Sequence, residues 1–407
     1  SRLSKPISDP YDQASEDRRS RLLSMAADVS PWLGAELLPR MLRPLQEHRC
    51  NSATFYSMVK QCTPAFLFSW TTRELVKHLA SPSPTLKQNA LVRLRSLAES
   101  ESGCQDMVAV GAIPLLAKIL KSGSKGAREL AAGTLRYLSR YQENNAQLIA
   151  EGVAALFVPR LASAREDIAV QAAIALGNLA SGPDESEVAV AEAGAITPLV
   201  RLVREGSKTG KEMATRALVN LTVNIQNKKA VTAAGIIYPL VQLLKGPTSQ
   251  GMEQALLVLG NLSTDLQSSR AMAAAGVIPS LVQLLGEDGP VVVELATVAL
   301  RNLSVDVQIR RPIAAAKAIT ALINVMKSGS EGAAEAATST LRNLAAIASN
   351  KKPILSSGAI PVLVQLLIDG TEGSKEQAAA VLIMFAVDAE SRRAIVEAGA
   401  VPALINL

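Results

Sequence analysis

The stretch Gly235-Ile-Ile-Tyr-Pro239 is the clearest copy of a signal in which a glycine precedes a short apolar run with a nearby proline. The copies begin at Gly111, Gly152, Gly194, Gly235, Gly276, Lys317, Gly358 and Gly399, at steps of 41 or 42 residues. A second marker, Leu-x-Asn-Leu, keeps the same register, and its Asn position holds Ser96, Tyr137, Asn178, Asn220, Asn261, Asn302, Asn343 and Met384. Two markers in phase over about 290 residues indicate a repeat protein.

Each repeat predicts three helices, as residues 224–264 illustrate. A short first helix ends at Gly235, because glycine adopts the left-handed conformation that stops a helix. The second helix starts near Tyr238, with Pro239 in its first turn, and the third runs from about Gln250 to Ser263. The predicted fold is therefore all-α.

The apolar pattern of the third helix indicates stacking of repeats. Counted from the Asn marker at 100° per residue, small and aliphatic residues at −6, −3, −2 and +1 form one narrow stripe. Apolar residues make up 48% of the chain and aromatic residues only 3%, which favours thin, closely packed layers. Because one stripe cannot fold alone, neighbouring repeats must cover it, and we expect an α-solenoid.

These markers resemble the armadillo repeat over about residues 72–407. The resemblance implies a right-handed superhelix in which the third helices line a concave groove. It also implies that extended peptides lie there, held through a ladder of asparagines, here Asn178, Asn220, Asn261, Asn302 and Asn343. The pattern is closest to plant, protist and vacuolar-adaptor armadillo proteins. Nuclear-import receptors of the family carry Trp beside the Asn, and this chain has no Trp after Trp70.

Three further rows on the third helix are candidate partner-binding positions. The residue eight before the Asn marker is Glu in most repeats, including Glu253 and Glu294, and the residue just before it includes Arg301 and Arg342. The residue four before it includes Arg216, Leu257 and Val298, and the last two predict adjacent exposed apolar side chains. For the charged rows, the alternative to peptide recognition is simple solvation, together with a favourable interaction between Glu and the positive start of a helix. An Asn bonded to a neighbouring repeat is the alternative for the ladder.

Two parts of the chain depart from the pattern. Residues 1–71 lack the repeat but contain seven of the chain's twelve aromatic residues. We therefore expect this segment to be a helical cap on the first repeat or a partner-binding segment. Lys317 replaces the turn glycine, which predicts a distorted corner. The last repeat has no third helix, so Val401, Leu404 and Leu407 should lack cover, and we expect further sequence, a partner or a second copy at this end.

Charge and composition limit the function classes. The 42 basic and 36 acidic residues are spread along the chain without an evident basic stripe, so no nucleic-acid binding is expected. Three cysteines are too few for a disulfide framework and favour a reducing compartment. We expect an intracellular, cytoplasmic protein, with an organelle reached after presequence removal as the alternative. No apolar run reaches the roughly 18 residues of a membrane span.

No active site is predicted. His48, Cys50, Cys62 and His78 match no usual zinc spacing, there is no phosphate-binding glycine loop, and we expect neither metal nor cofactor. The predicted function is a protein-interaction scaffold or adaptor that binds an extended segment of a partner in the groove. The alternatives are a structural subunit of a large assembly and the armadillo region of a larger enzyme such as a ubiquitin ligase.

Overall fold

A computed structural model describes residues 71–182, 185–246, 248–287, 289–387 and 389–405. These ranges contain 25 α-helices and no strand. The predictions for residues 1–70, including those for His48, Cys50, Cys62 and the N-terminal cap, lie outside the described residues, as does Leu407. The all-α solenoid predicted from the repeat is confirmed.

The described residues form two compact units. Residues 71–115 and 123–130 make the first unit, and residues 116–122 and 131–405 make the second. The first five helices are α1 Thr72–Leu79, α2 Pro84–Leu97, α3 Glu101–Ala109, α4 Ala112–Ser122 and α5 Lys125–Leu138. One 3₁₀ turn, Gln142–Asn144, precedes α6 Asn145–Ala150, and a second, Val158–Ala162, follows α7 Val153–Phe157.

From residue 166 onward the predicted order of helices repeats. The third helices, which end each repeat, are α8 Glu166–Leu179, α11 Lys208–Leu221, α14 Ser249–Leu262, α17 Pro290–Leu303, α20 Glu331–Ala345 and α23 Glu372–Phe385. The first helices are α9 Ser186–Glu192, α12 Ile225–Ala233, α15 Leu266–Ala274, α18 Val307–Ala315, α21 Ala348–Ser356 and α24 Ala389–Glu397. The second helices are α10 Ile196–Glu205, α13 Ile237–Leu244, α16 Val277–Leu284, α19 Ala318–Ser328, α22 Ala359–Asp369 and α25 Ala400–Ile405.

Stacking of the third helices builds the core of the second unit. Each of the six contacts the next in the series from α8 to α23. The two leucines that flank the marker Asn are fully buried in the middle repeats, as Leu259 and Leu262 illustrate. Burying such a side chain stabilises a protein by about 1.5–3 kcal/mol, so the apolar stripe read from the sequence supplies the adhesion between repeats.

The turn between first and second helices has the predicted left-handed backbone. The seven marker glycines have φ between 69° and 87°. The prediction of a distorted corner at Lys317 is wrong, because Lys317 has φ 62° and ψ 28° and donates its backbone N–H to the Ala314 carbonyl at 3.1 Å. Gly276 makes the equivalent bond to Ala273 at 3.2 Å. The stacked helices hold this lysine in a conformation that L-residues normally avoid.

The C-terminal helix leaves aliphatic side chains exposed. Val401 and Leu404, predicted to lack cover, are both exposed, and so is Ile405. Within the described ranges no single helix is long and apolar enough to cross a bilayer, although two sharply bent helix pairs, α3 with α4 and α21 with α22, reach that length and composition together.

Candidate functional site

The surface with the predicted site residues is the third-helix face, which we define as the side of α8, α11, α14, α17, α20 and α23 that carries the marker positions. The five ladder asparagines, Asn178, Asn220, Asn261, Asn302 and Asn343, are half-buried on successive helices of this face. Because those helices pack on one another in series, the structure brings the ladder together as one row. Binding of a partner by this row stays a prediction.

The amides of the ladder are bonded to the preceding repeat. Asn302 Nδ2 donates to Ser263 Oγ at 3.1 Å and lies 3.4 Å from the carbonyl oxygen of Gly260. Asn261 Nδ2 donates to Thr222 Oγ1 and to the Val219 carbonyl, both at 3.2 Å. The same inter-repeat donation joins Asn178 to Ser139 at 3.3 Å, Asn220 to the Gly177 carbonyl at 2.8 Å and Asn343 to Ser304 at 2.9 Å.

These bonds show that the ladder braces the solenoid. An amide carries both a donor group and an acceptor oxygen, and bracing uses the donor. The Oδ1 oxygen keeps acceptor capacity for a peptide N–H, although in Asn302 and Asn343 it already accepts from the guanidinium group of the preceding arginine. Bracing was the alternative left open by the sequence, and it is compatible with a binding role for the second half of the same side chain.

The glutamate row is also engaged between repeats. Glu294 is half-buried and accepts a hydrogen bond from the N-cap hydroxyl of Ser330 at 2.6 Å. A Cβ at position 332 would lie 2.9 Å from its carboxylate, so Gly332 lets the carboxylate approach the start of α20. Negative charge is favourable at a helix N-terminus, where unpaired N–H groups concentrate.

Two other glutamates repeat this contact, but Glu253 does not. Glu212 accepts from Thr248 at 3.2 Å, and Glu335 accepts from Thr371 at 3.0 Å. Glu253 is half-buried, but the residue at the N-cap of the next third helix is Gly289, which has no side chain to donate. Complementing a helix start is thus the observed role of Glu294.

The arginine row lies beside the ladder. Arg301 and Arg342 are half-buried on adjacent repeats, with guanidinium Nη2 atoms 3.5 Å and 3.4 Å from the Oδ1 oxygens of Asn302 and Asn343. Arg136, the same position in an earlier repeat, instead stacks on the Tyr137 ring at 4.1 Å from its centroid. Arg301 and Arg342 therefore form a paired cationic feature of this face.

The row four residues before the ladder is mixed in exposure. Arg216 is exposed, as predicted for a groove position, while Leu257 and Val298 are half-buried. The prediction that Leu257 and Val298 form an exposed apolar pair is therefore too strong. Each therefore leaves only a partial aliphatic surface, one helical turn before the ladder.

Histidine and cysteine are absent from the six helices of this face. Within the described ranges, no group of three or more His, Cys, Asp and Glu residues is placed to hold a metal ion. His78 is buried in α1, and this burial lowers the pKa of its imidazole, against a smaller opposite influence of Glu74. Cys104 is buried and reduced and donates its thiol to the Ala98 carbonyl at 3.2 Å.

The hydroxyl partners of the ladder are visible in the sequence once their role is known. The residue two positions after the marker is Ser139, Thr222, Ser263 or Ser304 in four repeats. The hydroxyls that meet the glutamates stand 36 residues after them, at Thr248, Ser330 and Thr371. Both sets are periodic small polar residues, and only the inter-repeat distances reveal what they bind.

Comparisons with known proteins agree with this architecture. The Armadillo/beta-catenin-like repeat family matches residues 100–140, 183–223 and 267–305. The chain is 32% identical over 151 residues to U-box domain-containing protein 24 from Oryza sativa subsp. japonica. That match covers 36% of this chain and only 18% of the rice protein.

Solved structures extend the similarity to most of the chain. An engineered protein has a TM-score of 0.77 and 27% identity, over 85% of this chain and 86% of its own. A designed armadillo repeat protein in complex with the peptide (KR)4 has a TM-score of 0.53 and 26% identity, over 57% of this chain and 100% of its own. These matches support the armadillo family, and the plant or vacuolar subtype remains a prediction.

Proposed function

We propose that this chain, which is built of armadillo repeats, is a scaffold whose third-helix face holds an extended segment of another protein. A row of half-buried asparagines on five successive, mutually packed helices is the observation that carries the proposal. One designed armadillo neighbour was solved with a bound peptide, which supports the same use of the fold here.

The chemistry of the face defines the segment. The Oδ1 oxygens of the ladder accept hydrogen bonds from backbone N–H groups, and the guanidinium groups of Arg301 and Arg342 donate to carbonyl or carboxylate oxygens. Leu257 and Val298 offer aliphatic surface to side chains between these polar contacts. A segment with small aliphatic side chains opposite α14 and α17, and an oxygen-rich side chain opposite α17 and α20, fits these groups best.

Selection from a displayed random-peptide library, followed by measurement of Kd, tests the proposal. The double variant Arg301→Ala/Arg342→Ala should weaken the selected ligands by about tenfold, as expected for the loss of charge-assisted contacts. A matched double variant, Arg201→Ala/Arg204→Ala, removes two exposed arginines from the second helix α10 and should leave affinity unchanged. Ligands insensitive to the first variant, or equally sensitive to both, would refute binding on this face.

A second candidate function follows from the rice protein. That protein is named for a U-box domain, and the second candidate is that this chain is the substrate-holding region of a larger ubiquitin ligase. Purification of the protein from its source, followed by assay with ubiquitin-activating and ubiquitin-conjugating enzymes, separates the candidates. Ubiquitin transfer by the purified protein favours the ligase, and its absence in an intact, peptide-binding preparation favours the scaffold.

A further inference from the structure

Four successive first helices, from α12 to α21, carry a strongly biased charge. Together α12, α15, α18 and α21 contain seven Lys and Arg residues and no Asp or Glu. These residues are Lys228, Lys229, Arg270, Arg310, Arg311, Lys351 and Lys352. By contrast, the first helix of the preceding repeat, α9, contains Glu187 and Glu192 and no basic residue. The positive charge is therefore concentrated in one segment of the second unit. The counts of basic and acidic residues over the whole chain do not reveal it.

Some of these cations have structural work, and others do not. Arg310 Nε donates to the Ser304 carbonyl at 2.8 Å, and Lys351 Nζ donates to the Met384 carbonyl at 3.1 Å. Arg270 pairs with Asp306 at 2.7 Å. Lys229, Arg311 and Lys352 are exposed. Within the described ranges none of the three forms a direct salt bridge, although Lys229 interacts electrostatically with the buried Asp265 carboxylate at the N-cap of α15.

Aliphatic side chains share a face with these cations. Ile225, Leu266 and Val307 are the first residues of α12, α15 and α18 and are 47%, 52% and 61% exposed. Each stands four positions before a cation, Lys229, Arg270 or Arg311, and residues four apart are neighbours on one side of a helix. We call this surface of α12, α15, α18 and α21 the first-helix row; α12 contacts α15, and α15 contacts α18.

A small pocket lies beside the row. It has a volume of about 290 Å³ and is lined mainly by polar residues, which include the ladder residue Asn302 and the carboxylate of Asp306, with Leu266 and Val305 as its apolar members. The pocket therefore adjoins the third-helix face as well as the row, and its lining does not select an aliphatic side chain. Exposed apolar side chains that recur at successive repeats are a feature of binding surfaces.

We propose that the first-helix row is a second docking surface, separate from the third-helix face, for an acidic protein segment that alternates carboxylates with aliphatic side chains. Charge complementarity selects the carboxylates, and the exposed Ile, Leu and Val select the aliphatic partners. Packed helices lie about 8–10 Å apart, and an extended chain rises about 3.3 Å per residue, so about three ligand residues span one repeat. Nucleic acid is disfavoured because the row has no aromatic ring for base stacking, and a bilayer because it has no interfacial Trp or Tyr.

The test uses the full 407-residue chain and a fluorescently labelled synthetic peptide of alternating Glu and Leu, followed by anisotropy. The triple variant Lys229→Gln/Arg311→Gln/Lys352→Gln should weaken binding by about tenfold, as expected when three exposed ion pairs are lost. The effect should shrink as salt is raised. The matched triple variant Lys208→Gln/Lys245→Gln/Lys327→Gln removes three exposed lysines from other helices and loops and should bind as the wild type does.

Further arms separate this surface from the third-helix face and from other anions. Ile225→Ser/Leu266→Ser/Val307→Ser should also weaken the peptide, while Arg301→Ala/Arg342→Ala should not. Loss of binding only in the Arg301/Arg342 variant would overturn the inference and leave the third-helix proposal standing. Tighter binding to phosphatidylserine vesicles or to single-stranded RNA, lost in the first-helix variants, would overturn the assignment to a protein segment.

Discussion

The side-chain amide of Asn302 donates to the hydroxyl of Ser263, one repeat earlier, at 3.1 Å. The bond joins the end of one third helix to the next, and Asn261 and Asn343 donate to hydroxyls in the same way. The ladder is thus part of the repeat interface as well as of the candidate binding face. Any mutational test of binding at these asparagines must measure stability beside affinity.

Replacement of Asn302 by alanine should lower the free energy of unfolding by about 1–2 kcal/mol, because a half-buried inter-repeat hydrogen bond is lost. Ser263→Ala made in the Asn302→Ala background should cost less than in the wild type, with a coupling of about 0.5–1 kcal/mol. Urea denaturation followed by circular dichroism measures both. Gln242→Ala, at an exposed amide of α13, is the control, and an additive double variant would show that the bond contributes nothing.

The peptide-binding role of the ladder remains a separate prediction. Replacing Asn261 and Asn302 together by alanine should weaken a selected peptide ligand more than the lost stability explains. Asn302→Asp keeps an acceptor oxygen but loses the donor to Ser263, so it should destabilise while preserving the contact to a peptide N–H. Parallel measurement of Kd and thermal midpoint distinguishes the binding role from the bracing role. An Asn302→Asp variant that loses affinity and stability in proportion would argue for bracing alone.

Replacement of Glu294 by alanine should destabilise by about 1 kcal/mol, because the carboxylate accepts from Ser330 at 2.6 Å at a helix start where negative charge is favourable. Glu253→Ala is the matched control within the same row. The next third helix there has Gly289 at its N-cap, so no hydroxyl bond is lost and the cost should be smaller. Equal costs in thermal denaturation would assign the whole effect to charge at the helix start.

The contrast between Lys317 and the basic doublets shows what sequence can predict in a repeat protein. Periodicity predicts the helices, the turns and the ladder, because each requires one residue type at a fixed step. The residue type at Lys317 predicts its backbone wrongly, because the packed neighbours hold it in the left-handed turn that the periodicity indicates. The doublets Arg310-Arg311 and Lys351-Lys352 are visible in the sequence at a step of 41 residues, yet whole-chain charge cannot reveal that their helices lack acids.

The inter-repeat contacts depend on pairs of positions that no single-repeat pattern connects. Ser330 caps α20, and its hydroxyl also donates to Glu294. Such contacts require the distance between layers, which packing of the aliphatic stripe sets. The fold was therefore more predictable than the state of each candidate side chain.

The ion pair between Arg270 and Asp306 predicts a pH dependence of stability. Hydrogen bonds from the Arg270 guanidinium and from the Gln308 backbone hold the pKa of the Asp306 carboxyl below its usual value. A depressed carboxyl pKa gives stability that is present above the unfolded value of about 3.9 and is lost as the pH falls below it. Asp306→Asn should therefore lower the thermal midpoint at pH 7. It should also reduce the fall in thermal midpoint between about pH 5 and about pH 3.

The control for this titration is Asp106→Asn, at an exposed position in the last turn of α3. Arg270→Gln should reproduce part of the effect of Asp306→Asn, because it removes the ion pair but leaves the hydrogen bond from the Gln308 backbone. Thermal midpoints measured at several pH values give the comparison. Parallel curves for the wild type and Asp306→Asn would show that the pair contributes no pH-dependent stability.

Replacement of Lys317 by glycine should stabilise the protein, since the lysine has φ 62° where the other turn markers are glycines with φ between 69° and 87°. The left-handed conformation costs an L-residue roughly 1–2 kcal/mol, and the greater freedom of glycine in the unfolded chain offsets about 0.5–1 kcal/mol of that relief. The expected net gain is therefore about 0.5–1 kcal/mol. The reverse change, Gly276→Lys, should destabilise by a similar amount, because no atom lies within 4 Å of a Cβ there and backbone strain is its only direct effect. Thermal and urea denaturation of the two variants measure the effects, and a loss of stability in Lys317→Gly would mean that the lysine makes a contact worth more than its strain.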